Sequence, residues 1–167
     1  MGVGNFFGLL PQRMGDAQLY GVELDSITGR IAKQLYPKAN ITVSGFEHVN
    51  LPDNSIDLAV GNVPFGNYRL SDPCYKQYGF LIHDYFFAKT LDKVRTGGIV
   101  AFITSKGTMD KQDTAVREYL AQRADLLGAV RLPSSAFSKT ANTEVTTDIL
   151  FLQKRDTPPE QLPDWVQ

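Results

Sequence analysis

Apolar positions in this 167-residue chain fall into short continuous runs, separated by stretches in which they recur every three or four residues. The first pattern predicts buried strands and the second amphipathic helices. Gln18–Leu24 reads as a strand, and Asp25 or Ser26 can cap the helix that follows to about Tyr36, where Pro37 stops it. Ile27, Ile31 and Leu35, spaced by four, form the apolar face of that helix. Ile41–Val43 is a short strand, Pro52–Ser55 has turn chemistry, and Ile56–Val60 is a further strand. From Asn62 to Tyr78 the chain is polar and aperiodic, carries Gly66 and Pro73, and reads as a functional loop. Phe80–Val94 predicts a helix with Phe80, Phe87, Leu91 and Val94 on one stripe. Gly97 and Gly98 lead into a strand over Ile99–Thr104, and a helix covers roughly Thr114–Arg123. A strand over Leu126–Leu132, a loop over Pro133–Thr143 and a last strand over Val145–Gln153 complete the pattern. This alternation implies an α/β fold with a mostly parallel sheet, covered by helices on both faces.

Composition adds limits. With 43% hydrophobic and 21% charged residues the chain is an ordinary globular one, long enough for one domain with its own core. That domain is expected over residues 1–155, with a polar tail or linker over 156–167 that opens on Thr157-Pro158-Pro159. No apolar stretch is long enough to cross a membrane and no signal peptide is visible. Cys74 is the single cysteine, which excludes an internal disulfide and a cysteine-based zinc site and fits a reducing cytoplasm. A formal net charge of -1 argues against a strongly basic, self-sufficient nucleic-acid binder. It leaves room for a catalytic domain whose DNA grip lies elsewhere.

The chemistry concentrates at strand ends. Asn62-Val63-Pro64-Phe65 follows the Ile56–Val60 strand and Gly61, and ligands of open α/β sheets bind at the carboxyl ends of strands. The Asn62 amide can exchange hydrogen bonds with an amino group, Pro64 fixes the chain direction, and Phe65 offers a face for a planar ring. Together they suit the exocyclic amine of a flat base. The opening Met1–Gly8 is glycine-rich, so backbone at Gly2 and Gly4 can approach a ligand closely, although G-x-G alone is weak evidence. Glu23 follows about 20 residues later at the end of the next strand, where an acid can take both ribose hydroxyls of a nucleoside or simply face water. Asp25 reads as a helix cap. Phe46 and Glu47 follow the third strand signal and suit either an adenine face and its amino group, or a core aromatic beside a surface acid. In a doubly wound sheet Gly4, Glu23, Phe46/Glu47 and Asn62 line one edge, and that coincidence outweighs its parts.

The ordered set Gly2-x-Gly4-x-Phe6, Glu23, Phe46-Glu47 and Asn62-x-Pro64-Phe65 resembles the amino-group DNA methyltransferases that use S-adenosylmethionine. The resemblance is to the N6-adenine branch, and within it to the large DNA methylase proteins of bacterial mobile elements, in which methylase and helicase parts often share one chain. Gly61–Gly66, Phe80–Phe87, Gly98–Ser105 and Asn142–Leu150 carry the same likeness, which covers about residues 1 to 155. It implies a Rossmann-like class I fold with an antiparallel last strand. It implies that Gly2, Gly4, Asn5 and Phe6 approach the cofactor, that Glu23 holds its ribose, and that Phe46 and Glu47 frame its adenine. Asn62 and the Val63 carbonyl would accept hydrogen bonds from the N6 amine, with Pro64 shaping the loop and Phe65 stacking on an adenine extruded from the duplex. Such transfer is direct and needs no metal or covalent intermediate.

Two departures from the family pattern stand out. Its tetrapeptide usually carries two prolines, and Val63 replaces the first while keeping the carbonyl. Its glycine motif usually follows a strand and an acidic residue, whereas this chain opens at Met1 inside the motif. The expectation is an N-terminally truncated domain lacking the first strand, completed by an upstream segment or another polypeptide, with DNA bound through additional domains. The tetrapeptide also serves methylation of guanine amines in RNA and of protein glutamine, and a catalytically silent module is the third alternative. Asn67, Tyr68 and Tyr75 read as surface-loop residues within reach of a flipped base; Lys106, Lys111 and Arg131 lie near strand ends, where they could meet phosphates, although isolated surface cations are the default reading. His48 and His83 are too far apart for a zinc site, with His83 read as packing or surface and Phe86-Phe87 as core. Ser134, Ser135 and Ser138 lack a nucleophile-elbow context.

Overall fold

A helical turn, α1 (Asn5–Gly8), precedes the strand β1 (Tyr20–Glu23), the helix α2 (Ser26–Leu35), the strand β2 (Asn40–Val43) and a 3-10 turn over Phe46–His48. These elements belong to the first of two compact units, Met1–Asn50 and Leu51–Gln167, into which the expected single domain divides. The computed structural model describes residues 1–137 and 145–167. Ser138, the end of the loop predicted to Thr143, and the Asn142–Glu144 part of the family likeness lie outside the described residues.

In the first unit β1 and β2 pair in parallel, with Tyr20 opposite Asn40 and Glu23 opposite Val43. Asp25 caps α2 as expected: its Oδ1 accepts from the Thr28 N–H at 2.7 Å. The helix does not bury the stripe that its spacing suggested. Ile27, Ile31 and Leu35 are 67%, 44% and 58% exposed, and the buried positions are Gly29 and Ala32. A Cβ at Gly29 would lie 2.7 Å from the Val43 side chain. Small residues let α2 settle directly on the strand, so the bulky stripe points away.

The second unit contains β3 (Ile56–Asn62), α3 (Ile82–Lys93), β4 (Val94–Ser105), the turn α4 (Gly107–Asp110), α5 (Ala115–Ala121), β5 (Ala124–Leu132) and β6 (Thr147–Lys154). The sheet order is β3-β4-β6-β5. β3 and β4 are parallel, while β6 runs antiparallel to both its neighbours, as expected of the last strand. β4 begins earlier than its pattern suggested, because Ile56 pairs with Val94 before the register jumps to Leu58 opposite Ile99. One sheet face is the core: Val100, Phe102, Leu150 and Leu152 are buried, and Phe87 of α3 meets Phe102 at 5.2 Å between ring centroids. On the other face Leu58, Val60, Val130 and Phe151 are exposed. Helices on both faces were expected; α3 covers the core face, and among the described residues of this unit no helix covers the opposite one. β3 has β4 on one side only, and β1 has β2 on one side only, among the described residues.

Two polar anchors hold the irregular segments. Asp72 is buried and accepts from Tyr85 Oη at 2.7 Å, Lys89 Nζ at 3.0 Å and the Cys74 N–H at 3.1 Å. It thereby pins the loop after β3 to α3. The chain end, expected as a free polar tail, returns to α5 instead. Arg117 is buried, and its Nε donates to the Val166 carbonyl at 2.8 Å, with Val166 itself buried. A buried guanidinium needs acceptors, and the last residues supply one.

Candidate active site

In the first unit the end of β1 meets the opening turn. Glu23 Oε2 accepts from the Gly2 N–H at 2.7 Å and from the Met1 amino group at 2.9 Å, while Oε1 accepts from the Asp25 N–H at 3.0 Å. Burial raises the Glu23 carboxyl, but the Asp25 N–H, the terminal ammonium and the Gly2 N–H together hold it below its ordinary value of 4.5. The two glycines differ in kind. Gly2 has a φ of +63° and open space where a Cβ would stand. Gly4 has a φ of +95°, and a Cβ there would strike the Tyr36 ring at 2.5 Å, so backbone conformation and packing both favour glycine. Asn5 and Phe6 start α1 and both are exposed. Phe46 and Glu47 sit half-buried in the turn just beyond β2, at the same strand end as Glu23, because Ser44 N–H donates to the Glu23 carbonyl at 3.0 Å. The first unit thus gathers an open glycine, a backbone-fixed carboxylate, an aromatic and a second acid. Such a set can take a ribose and a purine.

In the second unit Asn62 is the last residue of β3, opposite Ile103 of β4. Val63 is buried and its N–H donates to the Ile103 carbonyl at 3.0 Å, which fixes the strand end. The Asn62 amide and the Val63 carbonyl have no hydrogen-bond partner among the described residues. Pro64 is exposed and Phe65 is 37% exposed. Phe65 lines an open cavity of about 350 Å³ together with Ser105, Lys106, Ser134, Val145 and Thr146. The chain segments just beyond β3, β4 and β5 and just before β6 therefore converge on it. A cavity with an aromatic wall, beside free acceptors, can receive a flat base and bind its amine.

Of the loop residues, Tyr68 is exposed, whereas Tyr75 donates to Asp92 Oδ2 and packs edge-on against Tyr85 at 5.3 Å. Tyr75 is therefore a packing residue. Ser105 and Thr146 were missed by pattern reading, and Ser134 was weighed only as a nucleophile. Ser105 directly follows the predicted Ile99–Thr104 strand, and that strand-end position is the signal by which it could have been found. Among the described residues no group of three or more His, Cys, Asp or Glu is placed to hold a metal ion. No helix is long and apolar enough to cross a membrane among the described residues.

A buried cluster supports the cavity wall. Asp84 is buried, and Lys111 Nζ donates to its Oδ2 at 2.6 Å, while Thr108 reaches its Oδ1 at 3.4 Å. The turn α4 is thereby tied to α3. His83 lies beside it, buried, with Nε2 at 3.5 Å from Asp84 and, among the described residues, no hydrogen bond on either ring nitrogen. Burial holds the imidazole below its ordinary value of 6.5; Asp84 opposes this and Lys111 adds to it. The folded chain thus binds fewer protons there than the unfolded chain. This part of the stability is full above about pH 6.5 and is lost as pH falls below it. Denaturant midpoints between about pH 7.5 and about pH 5.5 should fall in the wild type, and His83→Leu should flatten that slope. An unaltered slope in the variant would assign the pH dependence elsewhere.

Fold and strand-end geometry define a class I methyltransferase fold. Structure comparison agrees: a Listeria monocytogenes protein assigned to the class I S-adenosylmethionine-dependent methyltransferases superposes with a TM-score of 0.73 at 19% identity, covering 96% of this chain and 54% of that one. A modification subunit assigned to a type I restriction enzyme of Vibrio vulnificus gives 0.74 at 18% identity, over 94% of this chain and 39% of its own. The M protein of the type I restriction enzyme EcoKI gives 0.65 at 21% identity, over 90% and 35%. The chain belongs to the N-6 DNA Methylase family, which it matches over residues 11–162. It is also 33% identical over 138 residues to defense against restriction protein B of Escherichia phage P1, covering 79% of this chain and 6% of the phage protein. The chain therefore spans a small part of the length of that relative.

Proposed function

We propose that this chain is the catalytic part of an S-adenosylmethionine-dependent methyltransferase acting on the N6 amine of adenine in DNA. The observation that carries the reading is the pair of acceptors without partners among the described residues, the Asn62 amide oxygen and the Val63 carbonyl, beside Phe65 in a member of the N-6 DNA Methylase family. The amine of adenine is conjugated with its ring and is a poor nucleophile. Asn62 and Val63 accept its two hydrogens, which turns the nitrogen lone pair toward an incoming methyl group. Phe65 stacks on the base and Pro64 holds the stacking residue in place. S-adenosylmethionine supplies the electrophilic methyl on its sulfonium. Glu23 would accept from its ribose hydroxyls, Gly2 and Gly4 with Asn5 and Phe6 would hold its methionine part, and Phe46 and Glu47 would hold its adenine. The spare proton of the methylated amine leaves to water. Val63 in place of proline is tolerated, because the chemistry uses its carbonyl.

The partners follow from what each unit leaves open. Among the described residues the β3 edge lacks a second strand neighbour, and the Leu58, Val60, Val130 and Phe151 face is apolar and exposed. A further polypeptide segment that adds a strand and covers this face would complete the fold, and DNA would be held through domains outside this sequence. Supplying labelled S-adenosylmethionine with DNA, RNA and protein together tests the substrate class. Label is expected in DNA; label confined to RNA or protein would favour the guanine-amine or glutamine alternatives.

A further inference from the structure

Three cations stand near the strand ends of the second unit, and the structure separates them. Lys111 is committed to the buried Asp84 at 2.6 Å. Arg131 is held by Asp148 at 2.9 Å and 3.0 Å and by Asp110 at 2.6 Å. Lys106 is exposed, and its ammonium has no hydrogen-bond or close ion-pair partner among the described residues, although its charge helps to lower the Asp110 carboxyl; among the described residues it is the only charged side chain lining the Phe65 cavity. Its placement is fixed although its head group is free. It directly follows β4, and its backbone carbonyl accepts from the Met109 and Asp110 N–H groups at 3.1 Å and 2.9 Å. The Asp84 cluster holds the same turn from behind.

A free ammonium beside an aromatic-walled cavity has a limited set of uses. A neutral base alone would leave the ammonium without a directly bonded anion, since Asp110 feels its charge only from beyond ion-pair distance. A nucleotide within a strand brings a base and a phosphodiester together, and matches both features. We propose that Lys106 binds the backbone phosphate next to the adenine that enters the cavity against Phe65, so that it sets the register of the strand at the site. This assignment rests on the adenine-methylation reading above. It makes Lys106 a positioning residue that reads no base. The overall charge of -1 fits the same picture, since a single placed cation can orient a strand whose main affinity lies elsewhere.

The test uses single-stranded oligonucleotides with one adenine, either with ordinary phosphodiesters or with uncharged methylphosphonates flanking that adenine. Fluorescence anisotropy with the whole chain should show the wild type preferring the charged strand by about three- to fivefold. Lys106→Gln should bind both strands alike and lower the salt slope by about 1, and Lys106→Arg should restore the preference. A Lys106→Gln chain that keeps the full preference, or a wild type that has none, overturns the assignment. Calorimetry with S-adenosylmethionine on the same chain separates the two levels. Cofactor binding without phosphate preference removes the role of Lys106 alone, and loss of cofactor binding removes the reading beneath it.

Discussion

Replacing Asn62 with alanine is expected to lower methyl transfer by about two to three orders of magnitude while changing S-adenosylmethionine affinity by less than about twofold. The amide is the last side chain of β3, is exposed, and has no partner among the described residues, so its removal leaves no buried group unsatisfied. Val63 would remain fixed by its 3.0 Å bond to Ile103, and the strand end would keep its shape. What is lost is one of two acceptors that the target amine needs as its nitrogen becomes tetrahedral. Asn62→Asp tests the chemistry further, because it keeps an acceptor and removes the donor. Single-turnover rates with parallel calorimetry would check this. Turnover near the wild-type rate in Asn62→Ala would remove the amide from the mechanism.

The second large effect is expected at Glu23. Glu23→Ala should weaken S-adenosylmethionine binding by about a hundredfold, the scale of two charge-assisted hydrogen bonds. The carboxylate has two tasks. It would accept from the ribose, and it already holds the Gly2 N–H at 2.7 Å and the Asp25 N–H at 3.0 Å. Alanine loses both, whereas glutamine keeps an acceptor oxygen and should lose less. The carboxyl lies below its ordinary value of 4.5, so wild-type affinity should hold as pH falls to about that value and decline only beneath it. Isothermal titration across that range would measure both effects. Equal affinity in Glu23→Ala and the wild type would place the cofactor elsewhere.

The strand ends were legible because they are local. A short apolar run followed by Asn62-Val63-Pro64-Phe65 needs no knowledge of distant residues, and neither does Asp25 before α2. Features that depend on the choice of neighbour were not. Spacing shows that Ile27, Ile31 and Leu35 form a stripe, but Gly29 and Ala32 decide which side of α2 meets β2. Glycine at position 4 suggested close approach to a ligand, and the structure adds a requirement that the sequence does not show, the Tyr36 ring, 32 residues away in sequence, against which a Cβ would clash. The placement of Ser105 and Lys106 beside Phe65 follows from the register that sets Asn62 opposite Ile103, which no local pattern encodes. Lys106, Lys111 and Arg131 looked equivalent in sequence. Only their carboxylate partners, Asp84, Asp110 and Asp148, distinguish them. The last residues read as a free tail because a buried Arg117 cannot be foreseen from a polar, proline-rich segment.

The most direct measurement is nucleoside mass spectrometry of DNA incubated with the chain and methyl-deuterated S-adenosylmethionine. A deuterated methyl on N6 of deoxyadenosine, absent with Asn62→Ala, is the predicted result. Deuterium on cytosine instead, or equal adenine labelling by the wild type and Asn62→Ala, would contradict it.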